Sequence, residues 1–160
     1  MASRKQVTVV DLPRRTFLAA SAAGLGVLAL GWKPRPASAL AATPAAKSLL
    51  DSLTQGKARN GRVTLHLPEI AENGNTVPMS VAVDSPMTEA DHVKTITVVA
   101  EANPAPKVAT IHLGPMAGKA DIQLRIRLAD TQIIHAIAEM SDGSRWMASR
   151  EVKVTMGGCG

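Results

Sequence analysis

One cysteine, no tyrosine, a single phenylalanine and two tryptophans in 160 residues exclude several routes to a stable small protein. A lone thiol cannot close a disulfide within its own chain, so this is not a disulfide-stapled scaffold. Cys-x-x-Cys and His-x-His pairs are both absent, which removes the commonest metal and dithiol signatures. With so few aromatics, the core has to come from Val, Ile, Leu, Met and Ala, which bury less area per residue. Such a domain is better suited to life as a subunit, sharing a surface with a partner, than to life as a free monomer. Long apolar runs are missing too. The longest, Phe17 to Leu30, is about 14 residues with small and Gly interruptions, short of the ~20 that a membrane-spanning helix needs.

What that run does resemble is an export signal. Arg14 and Arg15 form a twin arginine ahead of Thr16, Phe17 and Leu18, and Ala37-Ser38-Ala39 supplies small residues at a cleavage spacing. A positive start, an apolar stretch and a small-x-small site define a secretory signal, and the arginine pair specifies the Tat route. Residues 1–39 are therefore expected to be removed, with the mature protein periplasmic and not membrane-anchored. Six of the 18 basic residues and one of the 13 acidic residues fall in that segment. The mature part keeps twelve of each, so the basic pI belongs to the signal and no nucleic-acid partner is indicated.

After an Ala-rich linker from residue 40, "TPAAKSLLDSLTQG" reads as a short helix. Thr43 is its N-cap, Pro44 its first residue and Gly56 its stop, with Leu49, Leu50 and Leu53 on one stripe. From Arg62 the period becomes two. "RVTLHLPEI" puts Val63, Leu65 and Leu67 on one face, and "TVPMSVAVD" does so with Val77, Met79, Val81 and Val83. "HVKTITVVAE" and "KVATIHLG" follow. "DIQLRIRLAD" turns Ile122, Leu124, Ile126 and Leu128 inward and Gln123, Arg125 and Arg127 outward. "QIIHAIAEMS" and "SRWMASREVKVTM" close the series. Seven short strands separated by Asn-Gly, Asn-Pro, Gly-Pro and Asp-Gly breaks predict an all-β, immunoglobulin-like antiparallel sandwich over residues 40–156.

The most specific chemistry lies at the end. The chain finishes on "VKVTMGGCG", with its only thiol, Cys159, between glycines. Gly157, Gly158 and Gly160 free the backbone of Cβ restrictions, so residues 157–160 are expected to form a flexible arm. Cys159 can stand up to ~10 Å beyond Met156. An ordinary thiol is only a few per cent thiolate at neutral pH, and no basic residue lies nearer in sequence than Lys153. A self-contained nucleophile needs a base held at fixed geometry. A thiol without one is suited to activation inside someone else's active site. A buried structural role does not fit a penultimate Gly-flanked residue, and prenylation needs the cysteine four from the end. An interchain disulfide remains a competing use.

The rival from a different class is a periplasmic metal-binding sandwich using His66, His92, His112 and His135. Each of these lies in a different strand candidate, and a Gly-Gly-Cys-Gly tail makes a poor coordination shell. A hydrolase has still less to work with. Asp84, Ser85, Glu89 and Asp91 in "DSPMTEADH" read as turn chemistry. "AENGNTVP", with Asn73-Gly74, is either a tight turn or a loop that a partner reads.

Together the "GGCG" terminus, "LPEIAENGNTVPMSVAVDSPMTEADHV", "EANPAPKVATIHLGP" and "RIRLADTQIIHAIAEMSDGSRWMASREVKVT", in that order behind a Tat signal, resemble the SoxY family. These are the sulfur-carrier subunits of the Sox thiosulfate-oxidation system. The resemblance implies an immunoglobulin-like fold, a SoxZ-like partner in a heterodimer, and a periplasmic carrier that is not itself an enzyme and holds no cofactor. Cys159 would be the covalent attachment point for sulfur, and Gly157, Gly158 and Gly160 the spacers of its arm. Transient partners would be a c-type haem cytochrome, a dimanganese sulfate-releasing hydrolase and a molybdenum-haem sulfur dehydrogenase. The family's tail usually has two glycines after the cysteine. Here Gly160 alone follows, which would bring a terminal carboxylate one residue nearer the sulfur.

Overall fold

A computed structural model describes residues 42–157. The expected signal, with Arg14 and Arg15, and the residues Gly158, Cys159 and Gly160 lie outside the described residues. The described chain opens with helix α1 (Pro44–Thr54). Thr43, in extended backbone, accepts the Ala46 amide on Oγ1 at 3.2 Å, and Pro44 takes the first turn, where a missing N–H costs nothing. The helix ends one residue before the expected stop. Gln55 adopts the left-handed conformation (φ 50°) and its N–H donates to Asp51 O at 2.8 Å. Gly56 follows at φ 66°. Leu49 and Leu53 lie over Thr95, Thr97 and Ile137, and Ala46 is fully buried.

Eight strands follow: β1 (Val63–His66), β2 (Ile70–Ala71), β3 (Val77–Val83), β4 (Val93–Ala100), β5 (Lys107–His112), β6 (Ala120–Ile126), β7 (Gln132–Met140) and β8 (Arg145–Val154). They form two sheets, β1-β3-β6 and β2-β8-β7-β4-β5. The seven expected strands are all present. The additional one comes from splitting the first candidate: Pro68 cannot donate to a ladder, and the chain crosses there to the other sheet. Ile70 and Ala71 then pair parallel with Lys153 and Val154. That pairing and an isolated parallel bridge between Arg59 and Trp146 depart from the expected antiparallel arrangement, and the other strand pairs are antiparallel. Among the described residues no helix is long and apolar enough to cross a membrane.

The alternation read from the sequence places the core. Val63, Leu65, Leu67, Val77, Met79, Val81, Val83, Ile126 and Leu128 are buried from the three-stranded sheet. They face Val93, Ile96, Val98, Ala100, Ile134, Ala136, Ala138, Met140 and Val152 of the larger one. Each fully buried Val, Leu or Ile contributes roughly 1.5–3 kcal/mol relative to exposure, so many small side chains replace the missing aromatics. Ile122 and Leu124, on the edge strand β6, are packed inward but only half-buried. Trp146, the one aromatic among the described residues, closes the end of the sandwich where β8 begins. The Arg62 and Arg59 guanidinium groups lie 5.5 and 6.0 Å from its ring centre. Gly61 runs against the ring at φ +139°, where an added Cβ would come within 3.2 Å of the indole.

Strand β7 is buried on both faces, so its sequence is an almost unbroken apolar run. Its polar residues are Gln132, Glu139 and His135, the last 9% exposed on the outer face of the sheet. The His135 Nε2 lies 2.7 Å from Glu101 Oε1 and its Nδ1 2.7 Å from Ser149 Oγ. A carboxylate can only accept, so Nε2 carries a hydrogen, and in the neutral ring Nδ1 receives the serine hydroxyl. His135 pairs with Val99 on one side and Ser149 on the other. The line Glu101–His135–Ser149 therefore ties three neighbouring strands across their outer face.

Removing His135 leaves the largely buried Glu101 without its partner. His135→Ala should lower unfolding stability by about 2–3 kcal/mol in urea titration at neutral pH, and a loss below about 1 kcal/mol would show that water replaces the imidazole. Gly61→Ala should cost about 1–3 kcal/mol through the strained φ. Trp146 fluorescence reads this out, because residues 40–160 contain no other tryptophan.

Candidate functional site

Sequence reading puts the chemistry at the carboxyl terminus, and the described structure shows how β8 delivers the chain there. The parallel pairing of β2 with β8 continues past the strand's last residue. Lys153 N donates to Glu69 O at 2.9 Å and Thr155 N to Ala71 O at 3.1 Å. The Thr155 hydroxyl donates to Glu72 O at 2.9 Å. Gly74 then bridges: its N–H donates to Met156 O, and its carbonyl accepts from Leu128 N, both at 2.8 Å. Asn73 accepts the Asn75 amide on its side chain at 2.9 Å, the Asx-turn expected of Asn-Gly. This turn sets Gly74, a buried residue, between the ends of β6 and β8. The "AENGN" segment, left open between turn and partner loop in the sequence, forms this turn and holds Thr155 and Met156.

A second set of contacts holds the other side. Val154 N donates to Thr131 Oγ1 at 2.9 Å. Gly157 is exposed but lies so close to Ala129 that an added Cβ would overlap the Ala129 carbonyl oxygen. Ala129 is itself fixed. Its N–H donates to Asn103 Oδ1 at 2.9 Å, and Asn103 Nδ2 donates to Arg127 O at 2.9 Å. Behind Asn103 is Gln132, only 1% exposed. Gln132 Nε2 donates to Asn103 Oδ1 at 2.9 Å and to Asp130 O at 3.0 Å, while its Oε1 accepts the Ala102 amide at 2.8 Å. Sequence reading missed Asn103, Ala129, Thr131 and Gln132. The available signal was Gln132, a polar residue at the inward-facing register of Ile134 and Ala136.

The hydrogen-bonding partners of residues 153–156 are backbone groups and the hydroxyls of Thr131 and Thr155. Such groups hold a chain in place.

The four histidines of the metal alternative do not meet. His66 lies on the outer face of the three-stranded sheet, in register with Ser80 and Gln123. There it lines an open groove of about 620 Å³ with Pro68, Pro78 and Arg125. His92 Nδ1 is 3.0 Å from Thr88 O, and His112 Nδ1 is 3.3 Å from Thr95 Oγ1. His135 has both ring nitrogens engaged by Glu101 and Ser149. Among the described residues no three His, Cys, Asp or Glu side chains come together as metal ligands would. The "DSPMTEADH" residues form the turn expected of them. Ser85 Oγ accepts the Met87 amide and donates to Asp91 O, and the Asp91 carboxylate pairs with Arg62 at 3.3 Å. Met87, buried at φ 52°, plugs that end of the core.

Comparison with known proteins agrees with this geometry. The family model of the sulfur oxidation protein SoxY matches residues 50–159. Among solved structures, the chain is similar to the sulfur carrier protein SoxY from Chlorobium limicola f. thiosulfatophilum. That similarity has 31% identity and a TM-score of 0.56, over 69% of this chain and 99% of that one. A superoxide reductase (neelaredoxin) from Ignicoccus hospitalis is 18% identical, with a TM-score of 0.52 over 72% of this chain and 95% of that one, a likeness of fold alone. A comparison with curated protein sequences returns no significant match. The family match runs through the C-terminal cysteine, and the structural match takes in nearly the whole of the Chlorobium carrier: this chain belongs to the SoxY family of sulfur oxidation proteins.

Proposed function

We propose that this protein carries sulfur intermediates covalently on Cys159 during periplasmic thiosulfate oxidation, in a heterodimer with a SoxZ-like subunit. The observation that carries this reading is the family match ending at residue 159, joined to a terminus held on both sides up to Gly157. Residues 153–157 have a defined course on the domain, and among the described residues the hydrogen bonds of 153–156 go to backbone groups and the hydroxyls of Thr131 and Thr155. In the loading step the Cys159 thiolate forms a bond to the outer sulfur of thiosulfate. Two electrons leave, one at a time, through a c-type haem cytochrome to its own electron acceptor, giving a cysteine S-thiosulfonate. Water then cleaves the sulfur–sulfonate bond at a dimanganese hydrolase, releasing sulfate and two protons and leaving a persulfide anion. A sulfur dehydrogenase oxidises that remaining sulfur. In each step the reacting centre belongs to a partner, and this chain contributes the sulfur-bearing residue and its placement.

Export by the Tat route, carried by Arg14 and Arg15, brings the thiol to the compartment where these reactions run. It also exposes the thiol to oxidants. Low thiolate content outside an activating site limits stray disulfide formation.

Cys159→Ser should reduce thiosulfate-dependent electron transfer in the reconstituted system by at least 100-fold, while the double variant His66→Ala, His112→Ala keeps it within twofold. Cytochrome reduction followed optically measures both. The opposite pattern would replace the carrier with a metal site.

A further inference from the structure

Glycines before a carrier thiol are expected to act as loose spacers, but Gly157 is placed differently. Its φ lies outside the left-handed region, since Gly56, Gly61, Gly118 and Gly143 are the described glycines with positive φ. Conformational freedom therefore does not explain glycine at this position. A close approach does: a Cβ here would overlap the Ala129 carbonyl oxygen and come within 3.3 Å of its carbon. Both contacts are backbone atoms, which cannot swing aside as a flexible side chain would.

We propose that Gly157 is the fixed end of the carrier arm, seated against Ala129, and that the buried Gln132–Asn103 pair holds this seat and positions the thiol. The inference rests on Cys159 being the carrier residue. The pair acts through the backbone. Asn103 takes the Ala129 amide and the Arg127 carbonyl, while Gln132 clamps Asn103 and ties the Ala102 and Asp130 backbone to it. The Ala129 amide is thus held by Asn103, from the loop after β4, and Asn103 by Gln132, the first residue of β7, while Met156 and Thr155 are held on the opposite side by Gly74 and Glu72. Cys159 is two residues from Gly157, so its sulfur lies within ~10 Å of the Gly157 α-carbon. A shift of the seat therefore moves the origin of that reach by the same amount. A misplacement of about 1 Å in a reacting complex can cost on the order of 100-fold in rate.

The test compares Gly157→Ala and Asn103→Ala with wild type in two assays. One is cytochrome-catalysed loading of thiosulfate onto the heterodimer. The other is 15N relaxation of the backbone amides. In the wild type, the order parameter at Gly157 should match that of Val154, ~0.85. In each variant the amide at position 157 should fall clearly below it. The turnover number for loading should drop at least tenfold in Gly157→Ala and less in Asn103→Ala. KM should stay within twofold, and alkylation of the thiol by iodoacetamide should be unchanged. A merely structural role would shift the melting temperature and leave the turnover number of the folded fraction intact. Wild-type turnover in Gly157→Ala, slowed alkylation, or a Gly157 amide already as disordered as a loop tip would overturn the seat. If the wild-type heterodimer takes up no sulfur, the carrier reading has failed, and the order parameters still decide the seat.

Discussion

Gly74 makes one hydrogen bond in each direction, to Met156 and from Leu128, and the working end of the molecule is built around that pair. A chain terminus beyond a last strand normally frays, because nothing repays the entropy of ordering it. Here the parallel pairing of Ile70 and Ala71 with Lys153 and Val154 extends the sheet to its final residues. The Asn73 turn then carries the chain back so that one residue contacts the ends of both β6 and β8. Each bond contributes only about 1 kcal/mol net. Because they converge on Thr155 and Met156 from one side, with Thr131 and Ala129 on the other, the exit of the chain is defined to within a residue.

The same economy runs through the core. With no aromatic residue between the sheets except the half-buried Trp146 at one end, packing relies on alternating Val, Ile, Leu, Met and Ala. The buried polar groups are accordingly few and fully used. Gln132 ties the loops beside the terminus, and His135 links three strands through Glu101 and Ser149. Among the described residues no buried side-chain polar atom lacks a partner. These buried polar residues mark places where elements are held at a fixed offset, and Gln132 lies directly behind Asn103 and Ala129.

Much of this was legible in the sequence. Period-two alternation located seven strands and most of the inward faces, because edge and surface strands expose one side. Thr43 and Pro44 marked the helix start, since a cap and an N-terminal proline act locally. The short β2 strand was not legible: two residues carry no period, and their pairing is set by the chain crossing after Pro68. The helix stop fell on Gln55 because left-handed caps admit residues other than glycine. Residues around the terminus were hidden for a different reason. Asn103, Ala129 and Gln132 act through backbone hydrogen bonds between segments about 25–30 residues apart, and no local pattern encodes such a contact. Cys159 stands out in the sequence as the chain's single thiol, and it lies outside the described residues.

Membership of the SoxY family supports a carrier role in sulfur oxidation, and the proposal that Cys159 bears the sulfur adds a covalent site to it. Intact mass spectrometry of the protein from cells oxidising thiosulfate, before and after reductant, tests this most directly. The account predicts adducts of sulfur or thiosulfonate mass, removed by reductant and mapped to the peptide that contains Cys159. An unmodified thiol under turnover, or adducts on any other residue, would contradict it.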